Sequence, residues 1–310
     1  MIELQRKLMG DTLRNAAFAH ALDACIVPTE STVSDIGAGT GFLSALALQL
    51  GAKEAILYEA GEIADVCDAF MKKNGLKNWK LVRRHSEEVP KPVQTDVVVT
   101  ETLGNYAYEE HIVEIFRDVK RFVKPGGTVI PSAVEQWVSP VVTPRLWEEI
   151  NVWDRIGYNL DFSQAKKITL NNMYVKSVLA GELLGAGHEA RLWDTLQASA
   201  PGSSKRSGRG AWKIVKPETV YGFCLHWDAV LAPEIVLSTN PLGEPTHWEQ
   251  IFLPLAEPLQ VAAGESLHVE IRSDTRYEVG VRVAWTAERC DAAGNVLESQ
   301  TMDMKDGWIG

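Results

Sequence analysis

The chain has 310 residues, enough for two domains of ordinary size, and its 45% hydrophobic and 23% charged residues are the balance of a soluble globular protein. A formal net charge of −10 argues against nucleic acid as a partner and favours basic ligands on encounter. Cys25, Cys67, Cys224 and Cys290 are dispersed without paired spacing, against a disulfide framework and against a metal site. There is no apolar signal core after Met1, and no apolar run approaches the ~18 residues of a membrane span, so the chain reads as cytoplasmic with no membrane partner.

Leu8, Asn15, Ala19 and Leu22 fall at helical spacing, which predicts one helix over Leu4–Leu22 that Pro28 forbids from continuing. Thr32–Ile36 reads as a strand, Gly37–Gly41 as a glycine turn and Phe42–Leu50 as an apolar helix. Ala55–Glu59 is a second strand, and Ile63, Val66, Cys67 and Phe70 give an amphipathic helix stopped at Asn74-Gly75. Lys80–Arg84 and Asp96–Thr100 are the third and fourth strands. A helix face from Ile112 to Val123 then ends at Lys124-Pro-Gly-Gly127, before a strand over Thr128–Ile130. Strands alternating with helices predict a parallel doubly wound sheet over residues 1–131.

After Pro131 the pattern changes. Val134–Val142, Tyr221–Leu231, Ile251–Leu255, Leu267–Arg272 and Val279–Trp285 alternate apolar and polar residues between Pro/Gly turns, which predicts an antiparallel barrel or sandwich over 132–310. Trp147, Ile150, Trp153 and Ile156 form a helical aromatic stripe, read either as packing on the barrel or as a dimerisation arm. Pro201–Gly210 reads as a flexible basic loop by composition.

Two stretches carry the chemistry. In Val33–Gly41 the pattern G-x-G-x-G (Gly37, Gly39, Gly41) follows Asp35 and lets backbone approach a ligand; Phe42 stands where a dinucleotide fingerprint wants a small residue. Glu59 closes the second strand, 24 residues after Asp35, where a carboxylate can accept both ribose hydroxyls. This combination resembles the class I S-adenosylmethionine-dependent methyltransferases. The other stretch is Thr100–Glu110, at the carboxyl end of the fourth strand, where ligands bind in open α/β sheets. A turn at Gly104-Asn105 can bring Glu101 and Glu110 face to face. Paired carboxylates repel unless a cation sits between them, and the natural occupant is a planar guanidinium.

Glu101 and Glu110 flanking Leu-Gly, the Thr246-His-Trp248 run, and Asp11-x-x-Arg14-x-x-x-Phe18 together resemble the protein arginine methyltransferases, over nearly the whole chain, in a short, bacterial-type form. That resemblance implies an α/β Rossmann-like domain, an antiparallel β-barrel domain, and a helical arm at about 145–175 that makes a homodimer. It implies S-adenosyl-L-methionine as cofactor, held by Arg14, Asp35, Gly37, Gly39, Gly41, Glu59, Ser86 and Glu87. It makes Glu101 and Glu110 the grip on the guanidinium and His247, oriented by Asp11, the proton acceptor, while Glu109 is discounted. Leu8, Ile112 and Trp248 would line the substrate pocket; Leu8 and Ile112 stand where many members have methionine. The family's helix with paired aromatics, which precedes the Asp11 segment and covers the cofactor, is expected to be missing. His247 resembles the asymmetric-dimethylating branch.

The expected activity is methyl transfer to arginine in a protein or peptide. The alternatives are methylation of a small guanidino or amino metabolite, and a non-catalytic cofactor-binding scaffold. Arginines among glycines in Ser204–Gly210 also raise self-methylation at Arg206 or Arg209 against the reading of a solvated loop.

Overall fold

The computed structural model describes residues 2–307. Five parallel strands, β1 (Thr32–Ile36), β2 (Glu54–Tyr58), β3 (Trp79–Val82), β4 (Thr95–Thr100) and β5 (Val123–Ile130), lie in the order β3-β2-β1-β4-β5. Their continuous apolar runs follow from burial on both faces. Helices α1 (Ile2–Gly10), α2 (Thr12–Cys25), α3 (Phe42–Gln49), α4 (Ala64–Lys73) and α5 (Ile112–Asp118) accompany the sheet. The chain leaves β1 towards β2 and later returns to β4 on its other side. The order therefore reverses between β1 and β4, and the loops after those strands share one crevice.

Two local expectations are corrected here. The single helix over Leu4–Leu22 is two helices, because the Asp11 side chain accepts the N–H of Arg14 at 2.9 Å and caps a new helix start. The helix expected to reach Val123 ends at Asp118, with a 3-10 turn over Val119–Arg121. Val123 already pairs with Thr95, and Lys124–Gly127 bulges out of β5 instead of preceding it.

The second half is antiparallel and barrel-like. One sheet runs β7-β12-β10-β6-β8, with β11 on β10, and the other runs β15-β14-β13-β9. The strands are β6 (Ala133–Val141), β7 (Tyr174–Lys176), β8 (Arg191–Gln197), β9 (Lys205–Lys213), β10 (Glu218–Ala232), β11 (Ile235–Ser238), β12 (Gln250–Val261), β13 (Ser266–Asp274), β14 (Arg282–Cys290) and β15 (Val296–Asp303). The strand expected from Val279 begins at Arg282, after a turn in which the Val279 and Gly280 N–H groups reach Arg276 O. The loop expected over Pro201–Gly210 is largely β9, paired with β13 in register from Lys205 to Lys213. A Cβ on Gly208 would stand 1.8 Å from Trp193 O, so glycine here serves the close approach of β9 to β8.

Between β6 and β7 the chain forms α6 (Arg145–Ile150), a 3-10 turn at Trp153–Arg155 and α7 (Ser163–Leu170). Trp147 Nε1 donates to Leu255 O at 2.8 Å, and Trp153 Nε1 donates to Thr169 Oγ1 at 2.8 Å. Both indoles of the stripe are thus tied within this chain, whereas Tyr158 and Leu160 at the tip are 89% and 64% exposed. One apolar core joins the two halves, from Phe18 and Val99 through Tyr106 and Trp227 to Trp285.

Candidate active site

The glycine turn meets the loop after β4 directly. Gly37 has φ +73°, and a Cβ there would lie 3.0 Å from Thr102 Cγ2, beside Glu101. Glu59, next to β1 at the end of β2, accepts the N–H of Gly39 at 2.8 Å and of Gly61 at 2.7 Å. Asp35 Oδ2 accepts the Ser44 N–H at 3.1 Å and its hydroxyl at 2.8 Å, which ties the turn to the start of α3. Burial pushes the Asp35 acid up to about 6, against the Ser44 hydrogen bonds and with the Glu59 charge adding to the rise. Gly41 faces away from the crevice, since its Cβ would strike Cys67 Sγ at 2.7 Å. It serves helix packing.

Ser86 and Glu87 begin a 3-10 turn beyond β3. The Ser86 hydroxyl is buried and unpaired, and Glu87 is half-exposed with a carboxylate oxygen 3.7 Å from His85 Nδ1. Among the described residues, no hydrogen bond joins them to the glycine turn.

What stands in place of the helix expected to be missing is α1. Gln5 lies against Gly39, where an added Cβ would meet Gln5 Oε1 at 3.2 Å. Gln5, Leu8 and Met9 close one side of a cavity of about 40 Å³ whose other walls include Arg14, Asp35, Gly37, Gly39 and Glu101. This helix carries no aromatic residue.

The start of α2 organises the catalytic groups. Arg14 is buried and donates to Glu101 Oε2 through Nε at 2.9 Å and again through Nη2. Three residues earlier, Asp11 Oδ2 accepts the His247 backbone N–H at 3.0 Å and lies 2.7 Å from His247 Nδ1. Burial raises the Asp11 acid, but the N–H groups of Arg14 and His247 and the imidazole outweigh it and hold it below the usual range. A carboxylate at Nδ1 selects the tautomer protonated there, which leaves Nε2 with its lone pair.

Glu110 emerges at the open side of the loop. Its outer surface meets solvent, but protein packed around the carboxyl, together with the charges of Glu101 and Glu109, pushes its acid up to about 8. Glu109 turns inward, accepting the Asn105 N–H at 2.7 Å and filling the space a side chain on Gly104 would need.

Two pocket residues are corrected. Ile112 is sealed in the core at the start of α5, and Trp248 is 2% exposed. Trp248 instead holds the loop, with Nε1 donating to Leu103 O at 2.6 Å and its carbonyl accepting from Asn105 Nδ2. Leu8 alone of the three lines the cavity. Sequence reasoning missed Trp227, whose Nε1 donates to Gly104 O at 3.1 Å, and Asn105, an amide next to a required glycine. It also missed Gln5.

Self-methylation at Arg206 loses its basis as well. Arg206 is paired with Asp194, with 14% of its side chain exposed, and Arg209 lies on a paired strand with Nη2 2.6 Å from Glu270. Among the described residues no helix is long and apolar enough to cross a membrane.

Comparison with known proteins covers both halves. Residues 135–286 match the family described as the arginine methyltransferase oligomerization subdomain, and residues 18–153 match the family of ribosomal protein L11 methyltransferase (PrmA). Protein arginine N-methyltransferase 6 of Xenopus laevis is 27% identical over 281 residues, covering 84% of this chain and 80% of its own. The fold is shared with a Trypanosoma brucei PRMT1 enzyme-prozyme heterotetrameric complex with AdoHcy, at TM-score 0.85 and 19% identity over 97% of this chain and 98% of that one. It is shared also with Arabidopsis thaliana protein arginine methyltransferase 10, at TM-score 0.82 and 20% identity over 98% of both chains.

Proposed function

We infer, from the premise that this chain belongs to the protein arginine methyltransferase family, that it transfers methyl from S-adenosylmethionine to a guanidino nitrogen of arginine in a protein or peptide. The observation that supports this reading is that the start of α2 ties two parts together, Glu101 held by Arg14 and His247 bound to Asp11, with Glu110 on the same loop as Glu101.

Gly37, Gly39, Glu59 and Asp35 fit the cofactor once Gln5 moves off Gly39: Glu59 offers a carboxylate beside the two left-handed glycines, and Asp35 Oδ1 is buried without a partner. Ser86 and Glu87 are proposed at its adenine end, and Arg14, on the cavity wall, at its carboxylate. When bound, S-adenosylmethionine supplies an electrophilic methyl group on a sulfonium. Arg14 occupies Glu101 Oε2, whereas Oε1 has only a 3.4 Å contact from the Leu103 N–H. Oε1 and the Glu110 carboxylate are thus the groups left to grip an arriving guanidinium.

That cation favours the ionised form of Glu110, so its proton leaves to water as the substrate binds. Two anions on one face fix the plane of the guanidinium and draw its charge towards the nitrogens they hold. The nitrogen left ungripped would be free to face the sulfonium methyl, and alignment of this kind is worth ~7–11 kcal/mol of barrier in favourable cases. Forming the N–CH3 bond as the S–CH3 bond breaks would release S-adenosylhomocysteine and leave a proton on that nitrogen, which His247 Nε2 would accept while Asp11 stabilises the imidazolium.

We propose further that residues 1–131 and 132–310 are the cofactor and substrate domains, and that the chain works in the cytoplasm without nucleic-acid or membrane partners. The segment around α6 and α7 lies within the match to the oligomerization subdomain, and the exposed Tyr158 and Leu160 support its use as a homodimer arm. The test is mass spectrometry of Gly-Arg-rich peptides and of free arginine after incubation with cofactor. Methyl gain on the peptides is expected; cofactor binding with no gain on any guanidine overturns the reading.

A further inference from the structure

We propose that the barrel residues Asp194 and Arg206 are positioning residues for Glu110, acting through the hydroxyl of Tyr108. This rests on the arginine methyltransferase reading of the same crevice. The loop between the two glutamates is not free-standing. Tyr106, Ala107 and Tyr108 are fully buried, and the two tyrosine rings meet edge-on at 5.7 Å between centroids. They carry the loop into the barrel wall, where Tyr108 OH donates to Asp194 Oδ2 at 2.9 Å.

Asp194 is held from behind. Arg206 Nη2 donates to its Oδ1 at 2.7 Å and Nε donates to Oδ2, a forked pair with both side chains largely out of water. Arg206 Nη2 also reaches Thr195 O at 2.6 Å and Nη1 reaches Pro201 O at 3.2 Å, so the guanidinium is locked to β8 and the turn before β9. Its Cζ stands 5.7 Å from the centre of the Tyr108 ring.

From the fixed Tyr108 hydroxyl the backbone runs only two residues to Glu110, and His111 N donates back to Tyr108 O at 3.3 Å. The Glu101 end is fixed independently by Arg14, and the middle by Trp227 and Trp248. The spacing between the two carboxylates is therefore set at one end by α2 and at the other by this buried barrel pair. A charged pair in a barrel interior is weak evidence of stabilisation in itself. Its value here is geometric, since a small displacement of a gripping group can cost two orders of magnitude in rate.

The test uses Tyr108→Phe, which keeps the ring and leaves the Asp194–Arg206 pair intact, and Asp194→Asn as a second variant. Wild type must first methylate a Gly-Arg-rich peptide; failure there overturns the functional reading and not this one. With wild type active, Tyr108→Phe is expected to lower kcat ten- to a hundredfold at unchanged cofactor affinity and melting temperature. Carbon-13 NMR of the cofactor-free protein reads the carboxyl directly, and the Glu110 titration is expected to move down towards ordinary glutamate as it drifts from the protein packed around it and from Glu101. Wild-type kcat together with an unmoved Glu110 titration in Tyr108→Phe overturns the proposal. So does a loss of melting temperature with kcat preserved in Asp194→Asn.

Discussion

The glycine turn after β1 and the glutamate loop after β4 face each other across one crevice, but they are held in different ways. The turn is secured by its own domain, through Glu59 to Gly39 and Asp35 to Ser44. The glutamate loop is held at Glu101 by Arg14 and, beyond it, from the other domain, through Trp227, Trp248 and Tyr108 to the barrel. On the proposed function, the cofactor would lie against the parallel half, whereas the guanidinium grip would be assembled where the two halves meet. Damage to the barrel should disable the substrate side and spare the cofactor side.

The largest effect that sharpens this contrast is expected from Glu101→Gln. It leaves the buried Arg14 guanidinium without its anion, a loss of ~3–5 kcal/mol in stability, read by urea unfolding. Glu110→Gln, at an exposed and unpaired position, should leave the fold intact and lower kcat by ~10²–10³ with cofactor affinity unchanged. Equal losses in both by calorimetry would break the distinction. Since kcat/KM reports the free enzyme, its acid limb in the wild type should lie near the Glu110 value of about 8.

Trp248→Phe removes the donor to Leu103 O, and a buried carbonyl left unpaired costs ~1–3 kcal/mol. The loss should appear in peptide KM and melting temperature and not in cofactor binding. Gly39→Ala is the mirror experiment. Forcing a side chain to φ +55° costs ~1–2 kcal/mol and crowds Gln5, so cofactor affinity should fall about tenfold while barrel-dependent contacts stay.

A separate effect is on stability against pH. The Glu110 acid rises from 4.5 unfolded to about 8 folded, so the folded state binds its proton more tightly. Stability is then lost as pH climbs from 4.5 through 8, and Glu110→Gln should flatten that fall in a thermal scan. His226 has the opposite sense. Burial lowers it from 6.5 to about 4, so its contribution is full above 6.5 and is lost as pH falls through 4.

Much of the parallel half was legible because its signals are local. Val97–Val99 is β-branched and buried, and the glycine turn sits between a strand and an apolar helix. The paired glutamates and His247 were legible as residue types, though their meeting depends on Asp11 capping α2, which a continuous helical period conceals. The barrel was legible only where one face is wet and one dry. In β9 the run Ser207, Gly208, Arg209 and Gly210 looked like loop because its glycines are required by packing: Trp193 on β8 and Trp212 on β9 fill the space a side chain would take at Gly208 and Gly210. Tyr108 carried no functional signal in sequence, since its partner Asp194 lies 86 residues away.

The helix α1 over Gly39 has a kinetic consequence. The nucleoside side of the crevice is roofed by Gln5, Leu8 and Met9, while Glu110 faces open water. On the proposed function, that first helix would have to move for the cofactor to enter or leave beside Gly39, whereas a peptide would reach Glu110 from open water.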